Sequence, residues 1–296
     1  MDVNSIEQIV INTYIDRIHE LPLEKGRHFL HRAWLASKRR DLRKRLESEF
    51  RTFSEQRYLN YLSDFKNGFK ESLKNETNNI HNLPVRKINE EKRNEQWLKH
   101  IELKVFSHLL TELYYYTFYN PGYREKSIDA KKYLLELLKS EDYCKYATVS
   151  ACDIVYYSKN KLGLDFEEDF IALFRKIFLQ SIENQELFFN YIYGLTHIII
   201  GATDFYLKGI KKQSYSWVLQ ELNKYQNRIY DDLTLDINVE VALCYKILGV
   251  KSEFVGKVVN RAMRGFNKRI GYIKREGESS FEFAEHQNAV SLLLID

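Results

Sequence analysis

The chain has 296 residues, 44% of them hydrophobic and 14% aromatic, with a formal net charge of +4. That is enough apolar material for one large core or two smaller ones, and it excludes wholesale disorder. Only three prolines and twelve glycines interrupt the chain, too few for a turn-rich β fold, so long helices are expected. Cys144, Cys152 and Cys244 lack the paired spacing of a disulfide framework or a zinc motif. The first twenty residues are amphipathic and carry Asp2, Glu7, Asp16 and Arg17 rather than an apolar signal segment. Together these features predict a soluble, cytoplasmic protein kept under reducing conditions.

In chain order, Val3–Glu20 places Ile6, Val10, Tyr14 and Ile18 at helical spacing. Glu24–Phe53 reads as one long basic helix, and Ser54 as the N-cap of a third helix reaching about Lys74. Between Lys25 and Arg57 eleven Lys and Arg stand against four Asp and Glu, densest in Lys38–Arg45. Such a stripe suits phosphate contact and equally an ordinary solvated helix face; nucleic acid is a possible partner here but not the favoured one. The polar stretch Asn75–Glu91, which holds Pro84, reads as a linker. The expected organisation is therefore a basic N-terminal helical segment with its linker, residues 1–90, and a helical domain, residues 91–296.

That domain reads as nine helices, at about Arg93–Phe118, Ser127–Lys139, Asp142–Leu162, Asp165–Ile182, Gln185–Lys208, Ser214–Arg228, Leu235–Leu248, Ser252–Asn267 and Phe281–Ile295. Asn120-Pro121-Gly122, Gly163, Gly209, Gly249 and the stretch around Gly277 separate them. The odd-numbered helices are apolar around most of their circumference and the even-numbered ones are amphipathic. This alternation predicts an all-α fold with two concentric helical layers, an α/α toroid-like barrel with a central cavity. Leu187–Leu207 is 21 residues long with one formal charge, long enough to span a bilayer. However, Asn190, Thr196, His197, Thr203 and Asp204 would be costly in hydrocarbon, so a buried core helix is expected and no membrane association.

Polar residues on the apolar helices must be paired or face a wet cavity. They include His108 and Glu112, Cys152 and Asp153, His197 and Asp204, Asp236, Glu240 and Cys244, and then Glu285, His286 and Asn288. His197 and Asp204 lie two turns apart on one face, and Asp236 and Glu240 lie one turn apart. Carboxylates close to imidazoles can divide general acid and general base roles, because burial and proximity split their proton affinities. The candidate catalytic set is therefore His197, Asp204, Asp236, Glu240, Glu285 and His286, acting on a small molecule or peptide in the central cavity. No metal-binding motif is present and no particular cofactor is indicated.

Three stretches carry a family resemblance: Tyr193-Gly-Leu-Thr-His197, Asp236-Ile-Asn-Val-Glu240 followed by Ala242-Leu-Cys244, and Glu285-His-Gln-Asn288. Together they resemble a family of uncharacterised bacterial domains of unknown function, of the α/α-toroid type, over about residues 95–296. The resemblance implies that His197, Asp236, Glu240, Glu285 and His286 belong to one site; it implies no activity. The zinc-ligand set of the lanthionine cyclases and the Asp-rich motif of toroid terpene cyclases are both absent. Two alternatives stand beside the enzyme. Arg93-Asn94 with His100 resembles the Arg-x(4–6)-His motif of the helical HEPN ribonucleases, in which Arg holds phosphate and His moves the 2′-hydroxyl proton. A non-catalytic helical scaffold, docking a protein through Tyr114–Tyr119, is the other.

Overall fold

A computed structural model describes residues 3–83, 88–179, 182, 184–274 and 280–295. Among the described residues sixteen α-helices follow one another: α1 Val3–Asp16, α2 Leu23–Ser37, α3 Arg40–Lys66, α4 Lys70–His81, α5 Ile88–Lys99, α6 Ile101–Tyr119, α7 Lys131–Lys139, α8 Glu141–Tyr146, α9 Thr148–Tyr157, α10 Glu167–Phe178, α11 Gln185–Ala202, α12 Ser216–Lys224, α13 Gln226–Asp232, α14 Leu235–Ile247, α15 Glu253–Gly265 and α16 Phe281–Ile295. The β content among the described residues is one two-stranded hairpin, β1 Phe266–Asn267 and β2 Tyr272–Ile273, in antiparallel register. The protein is all-α. Among the described residues no helix is long and apolar enough to cross a membrane. Pro84 and Gly277, two of the expected break points, lie outside the described residues.

Two compact units form. One gathers Met1–Phe50 and Tyr206–Asp296, the other Arg51–Phe205. Residues 1–90 thus contribute to both. The first unit is built on α16, which packs against α2 and α14. Both α14 and α16 are buried around nearly their whole circumference, as their apolar sequence requires. Tyr14 of α1 is stacked between Phe29 and Phe281, at centroid distances of 4.1 and 4.4 Å. Asn288 behaves like an extra strand: its Nδ2 donates to the Ile273 carbonyl at 2.9 Å, and its Oδ1 accepts from the Ile273 N–H at 2.8 Å. The hairpin is thereby clamped to α16 and its edge backbone groups are satisfied.

In the second unit α9 packs closely on α11 and on α6. The approach depends on Gly194 and Gly201, two turns apart on α11. A Cβ at Gly194 would collide with Phe174 and Thr148, and one at Gly201 with the Tyr156 ring. Buried charges here are paired: Glu112 accepts from Arg57 Nε at 2.9 Å, and Glu167 accepts from the Tyr156 hydroxyl at 3.0 Å and from Lys159. Tyr114, Tyr115 and Tyr119 are core residues.

Several boundaries differ from the sequence expectation. The long basic helix is two helices, because Lys38 adopts a left-handed φ of 51° and caps α2 on the Trp34 carbonyl. Ser54 caps nothing; it is fully buried inside α3, which runs on to Lys66. The helix expected from Arg93 breaks at His100, and the one expected from Asp142 breaks at Ala147. The helix expected to reach Lys208 ends at Ala202, followed by three consecutive left-handed residues, Asp204, Phe205 and Tyr206, at φ 51°, 55° and 73°. None of these is glycine, so a left-handed turn could not be anticipated from residue type.

The close approach on α11 predicts the outcome of two substitutions. Gly→Ala inside a helix ordinarily gains up to about 1 kcal/mol. At these contacts the side chain must instead displace packed rings, at a cost of about 1–3 kcal/mol. Gly194→Ala and Gly201→Ala are each expected to lower the melting temperature by several degrees in differential scanning calorimetry. A neutral or raised value would show that the α9–α11 contact is looser than described.

Candidate functional site

Helix α2 is unusual. Arg27, His31 and Arg32 are buried, at 2%, 0% and 8% exposure, among Phe29, Leu30 and Ala33. The part-buried His28 lies among them, and α16 supplies it with an acidic partner. Glu240 and Glu285 are 1% and 3% exposed, and a buried carboxylate requires a hydrogen-bonded counterpart. Each has a histidine. His28 Nδ1 lies 2.7 Å from Glu285 Oε1, and His286 Nε2 lies 3.2 Å from Glu240 Oε1. The two imidazoles face each other, 5.6 Å apart between centroids and 19° from parallel. Two carboxylate–imidazole pairs are thus set side by side on three helices. The imidazoles keep partial solvent access (24% for His28, 39% for His286), whereas the carboxylates behind them are buried.

The surroundings divide the two histidines. Burial disfavours the charged form of His28, and Arg32 and His286 add to that, so its proton affinity falls below the ordinary value of 6.5 despite Glu285. Burial acts on His286 too, but the Glu240 hydrogen bond and charge, with Asp236 and Glu285, outweigh it and raise its affinity. Asp236 occupies the first turn of α14, where the helix dipole favours a carboxylate. Its Oδ1 is buried without a hydrogen-bond partner. Tyr206, last of the three left-handed residues, stands over Arg32 with the guanidinium 4.7 Å from the ring centroid. Burial and the nearby Glu240 hold its hydroxyl protonated. Left-handed non-glycine residues cost about 1–3 kcal/mol each and persist only where the surroundings hold them. Tyr206 is one such residue, and Arg32 and Glu240 lie close to it.

The sequence-derived candidates distribute as follows. Glu240, Glu285 and His286 meet in this cluster of the first unit, with Asp236 one turn from Glu240. His197 and Asp204 belong to the second unit. His197 Nδ1 is 3.9 Å from Asp153 Oδ1, and its ring stands edge-on to Tyr193. Asp204 Oδ2 accepts from Lys161 Nζ at 2.7 Å. The pair ties the turn after α11 to the short helical turn Ser158–Leu162 that extends α9. Cys244 is fully buried, with its thiol pushed upward by burial and by Glu240. Arg93 and His100 line two different cavities of the second unit. His28, His31, Arg32 and Tyr206 are absent from the sequence-derived set. The signal for the first three was present: Arg27–His31 and His28–Arg32 are i,i+4 pairs on faces that also carry core residues. The strong charge of the following Lys38–Arg45 stretch made the whole segment resemble a solvated face. In that stretch Arg39 pairs with Asp41, Arg43 with Glu47 and Arg45 with Glu49. Among the described residues no group of three or more His, Cys, Asp or Glu is arranged to hold a metal ion.

Fold and site therefore define an all-α protein with a paired histidine–glutamate cluster. The chain belongs to the family described as "Domain of unknown function (DUF3541)", whose model matches residues 4–296. The match takes in the N-terminal helices, including α2 with His28. No curated protein and no solved structure matches the chain.

The opposed histidines make a pH prediction. The Glu240–His286 pair, with its raised affinity, contributes stability that is full below pH about 6.5 and fades as pH rises through the folded-state value. His28, with its lowered affinity, behaves in the opposite sense: its contribution is present above about 6.5 and is lost as pH falls. Proton NMR of the imidazole Hε1 signals should show His286 titrating above, and His28 below, an ordinary histidine. Glu240→Gln should bring His286 down toward or below the ordinary range. Coincident titrations would refute the division.

Proposed function

We propose that this protein is an enzyme of general acid–base type, acting on a small molecule or a peptide, with His28 as base and His286 as acid. The observation that carries this is the facing pair of imidazoles, each held from behind by its own buried carboxylate and pushed to opposite proton affinities. Environments that drive two titrating groups apart are what assign acid and base in one site. The neutral His28 donates its Nδ1 proton to Glu285, which leaves Nε2 as the lone-pair nitrogen able to accept a proton from a bound molecule. The protonated His286 donates Nε2–H to Glu240 and presents Nδ1–H to a leaving group. Glu285 and Glu240 are positioning residues that fix tautomer and ring orientation. Arg32 and the Tyr206 hydroxyl, close by, suit a substrate that develops negative charge. This assignment lies within one unit and does not depend on the toroid layering suggested by the family resemblance.

Three buried thiols, none in a disulfide, suit a reducing compartment, and we place the protein's action there. Three of the six cations of the Lys38–Arg45 stretch, Arg39, Arg43 and Arg45, pair with carboxylates close by in sequence, which gives a nucleic-acid partner less support.

The test uses p-nitrophenyl acetate, bis(p-nitrophenyl) phosphate and a peptide p-nitroanilide as probes. Turnover of at least one is expected with a bell-shaped pH profile, and His28→Ala and His286→Ala should each lower kcat by about 10²–10⁴-fold. Glu240→Gln should move the alkaline limb to lower pH, because it removes what keeps His286 protonated. Melting curves of the same variants separate lost chemistry from lost fold. Turnover that survives both alanine variants, or a profile without an alkaline limb, overturns the assignment.

A further inference from the structure

The second unit holds a cavity of about 450 Å³ that the histidine–glutamate cluster does not use. Its size falls in the range of ordinary small-molecule sites, roughly 300–1,000 Å³. Helices α5, α6, α9 and α11 bound it, together with the end of α8. Its chemistry is specific. Trp97 carries two cations: the Lys104 ammonium lies 4.1 Å, and the Arg93 guanidinium 4.6 Å, from its ring centroid. Tyr146 carries two more, Lys92 and Lys145, at 5.5 and 5.6 Å. Aromatic faces that hold cations in place pre-orient positive charge at low entropic cost. Lys104 is the most telling. Burial works against its charge, and Glu76 and Asp153 only partly compensate. An incompletely compensated, half-buried ammonium is stabilised by an incoming anion.

The far wall is aromatic. Phe189 and Tyr193 of α11 meet edge to face at 5.5 Å, and Tyr193 is in turn fixed against His197 at 4.8 Å. Asp153 is the one carboxylate of the lining and lies 3.9 Å from His197 Nδ1. Ser107, His108, Thr111, Thr148, Ser150 and Asn190 add further polar groups to the lining. A ligand matching this set has an anionic end, a flat unsaturated body and hydroxyl or amino groups that donate to a carboxylate.

We propose that this cavity binds a nucleoside monophosphate, with Lys104 and Arg93 on the phosphate, Phe189 and Tyr193 against the base, and Asp153 accepting from a ribose hydroxyl or base amine. The two cations supply the charge-assisted hydrogen bonds that phosphate oxygens favour. The rings supply a face that any base can use.

Binding of AMP, GMP, CMP and UMP to the full chain, followed by calorimetry and by tryptophan fluorescence, tests this. At least one nucleotide should bind saturably. Adenosine and inorganic phosphate, the two halves of the ligand, should each bind at least about tenfold more weakly, one such step being worth about 1.4 kcal/mol. Lys104→Gln and Arg93→Gln should weaken binding about tenfold or more. Lys104→Arg should retain it, which separates lost charge from lost fold. Trp97→Phe keeps an aromatic face beneath both cations, so it should retain binding while losing the fluorescence change. Absence of saturable binding by all four nucleotides overturns the proposal. So does affinity unchanged in both glutamine variants, or inorganic phosphate binding as tightly as the nucleotides.

Discussion

Two carboxylates buried in an apolar helical unit set the terms for the first unit. Glu240 and Glu285 sit on α14 and α16, helices that are otherwise apolar on nearly every face. An unpaired carboxylate there would cost several kcal/mol, or would simply take up a proton. The structure meets the demand with histidine rather than with lysine or arginine alone. An imidazole can be neutral or charged near neutral pH, so the pairing satisfies the carboxylates while leaving a proton that can move. The same constraint explains α2. A helix bearing Arg27, His28, His31 and Arg32 among core residues has no place in a purely apolar interior, and no reason to be solvated when Glu285 waits opposite.

The left-handed run at Asp204, Phe205 and Tyr206 has a related logic. Three non-glycine residues in that conformation cost more than one ordinary surface contact returns. The turn is held at both ends: Asp204 by the Lys161 ion pair, and Tyr206 by its stacking with the Arg32 guanidinium. A helix continuing through Thr203 would carry Tyr206 elsewhere. Where α9 and α11 meet, by contrast, Gly194 and Gly201 let the two helices pack closely, and both helices also line the cavity that holds Trp97 and Tyr193.

Much of this was legible in the residues. The all-α class follows from breaker content and helical spacing, and α14 and α16 read as helices apolar around most of their circumference. On such helices a carboxylate or imidazole stands out, which is why Glu240, Glu285 and His286 could be named. Element ends were less legible. Lys38, His100 and Asp204 break helices through backbone geometry that their side chains do not announce. Ser54 shows the converse: a residue with cap chemistry that tertiary packing holds inside a helix. His28 was hidden for a different reason. Its helix carries five basic residues beside seven apolar ones, and only an acidic partner more than 250 positions away distinguishes a buried basic face from a solvated one.

By itself, then, the sequence determined the helical class, the apolar helices and the polar residues placed on them, because these depend on spacing along one element. The tertiary structure alone decided that the N-terminal helices share a unit with the C-terminal ones, and that Glu240 faces His286 while Glu285 faces His28. It alone set the two imidazoles 5.6 Å apart with opposite proton affinities. Those properties belong to pairs of residues brought together from distant parts of the chain. Their energies depend on distance and burial, neither of which is written in local sequence.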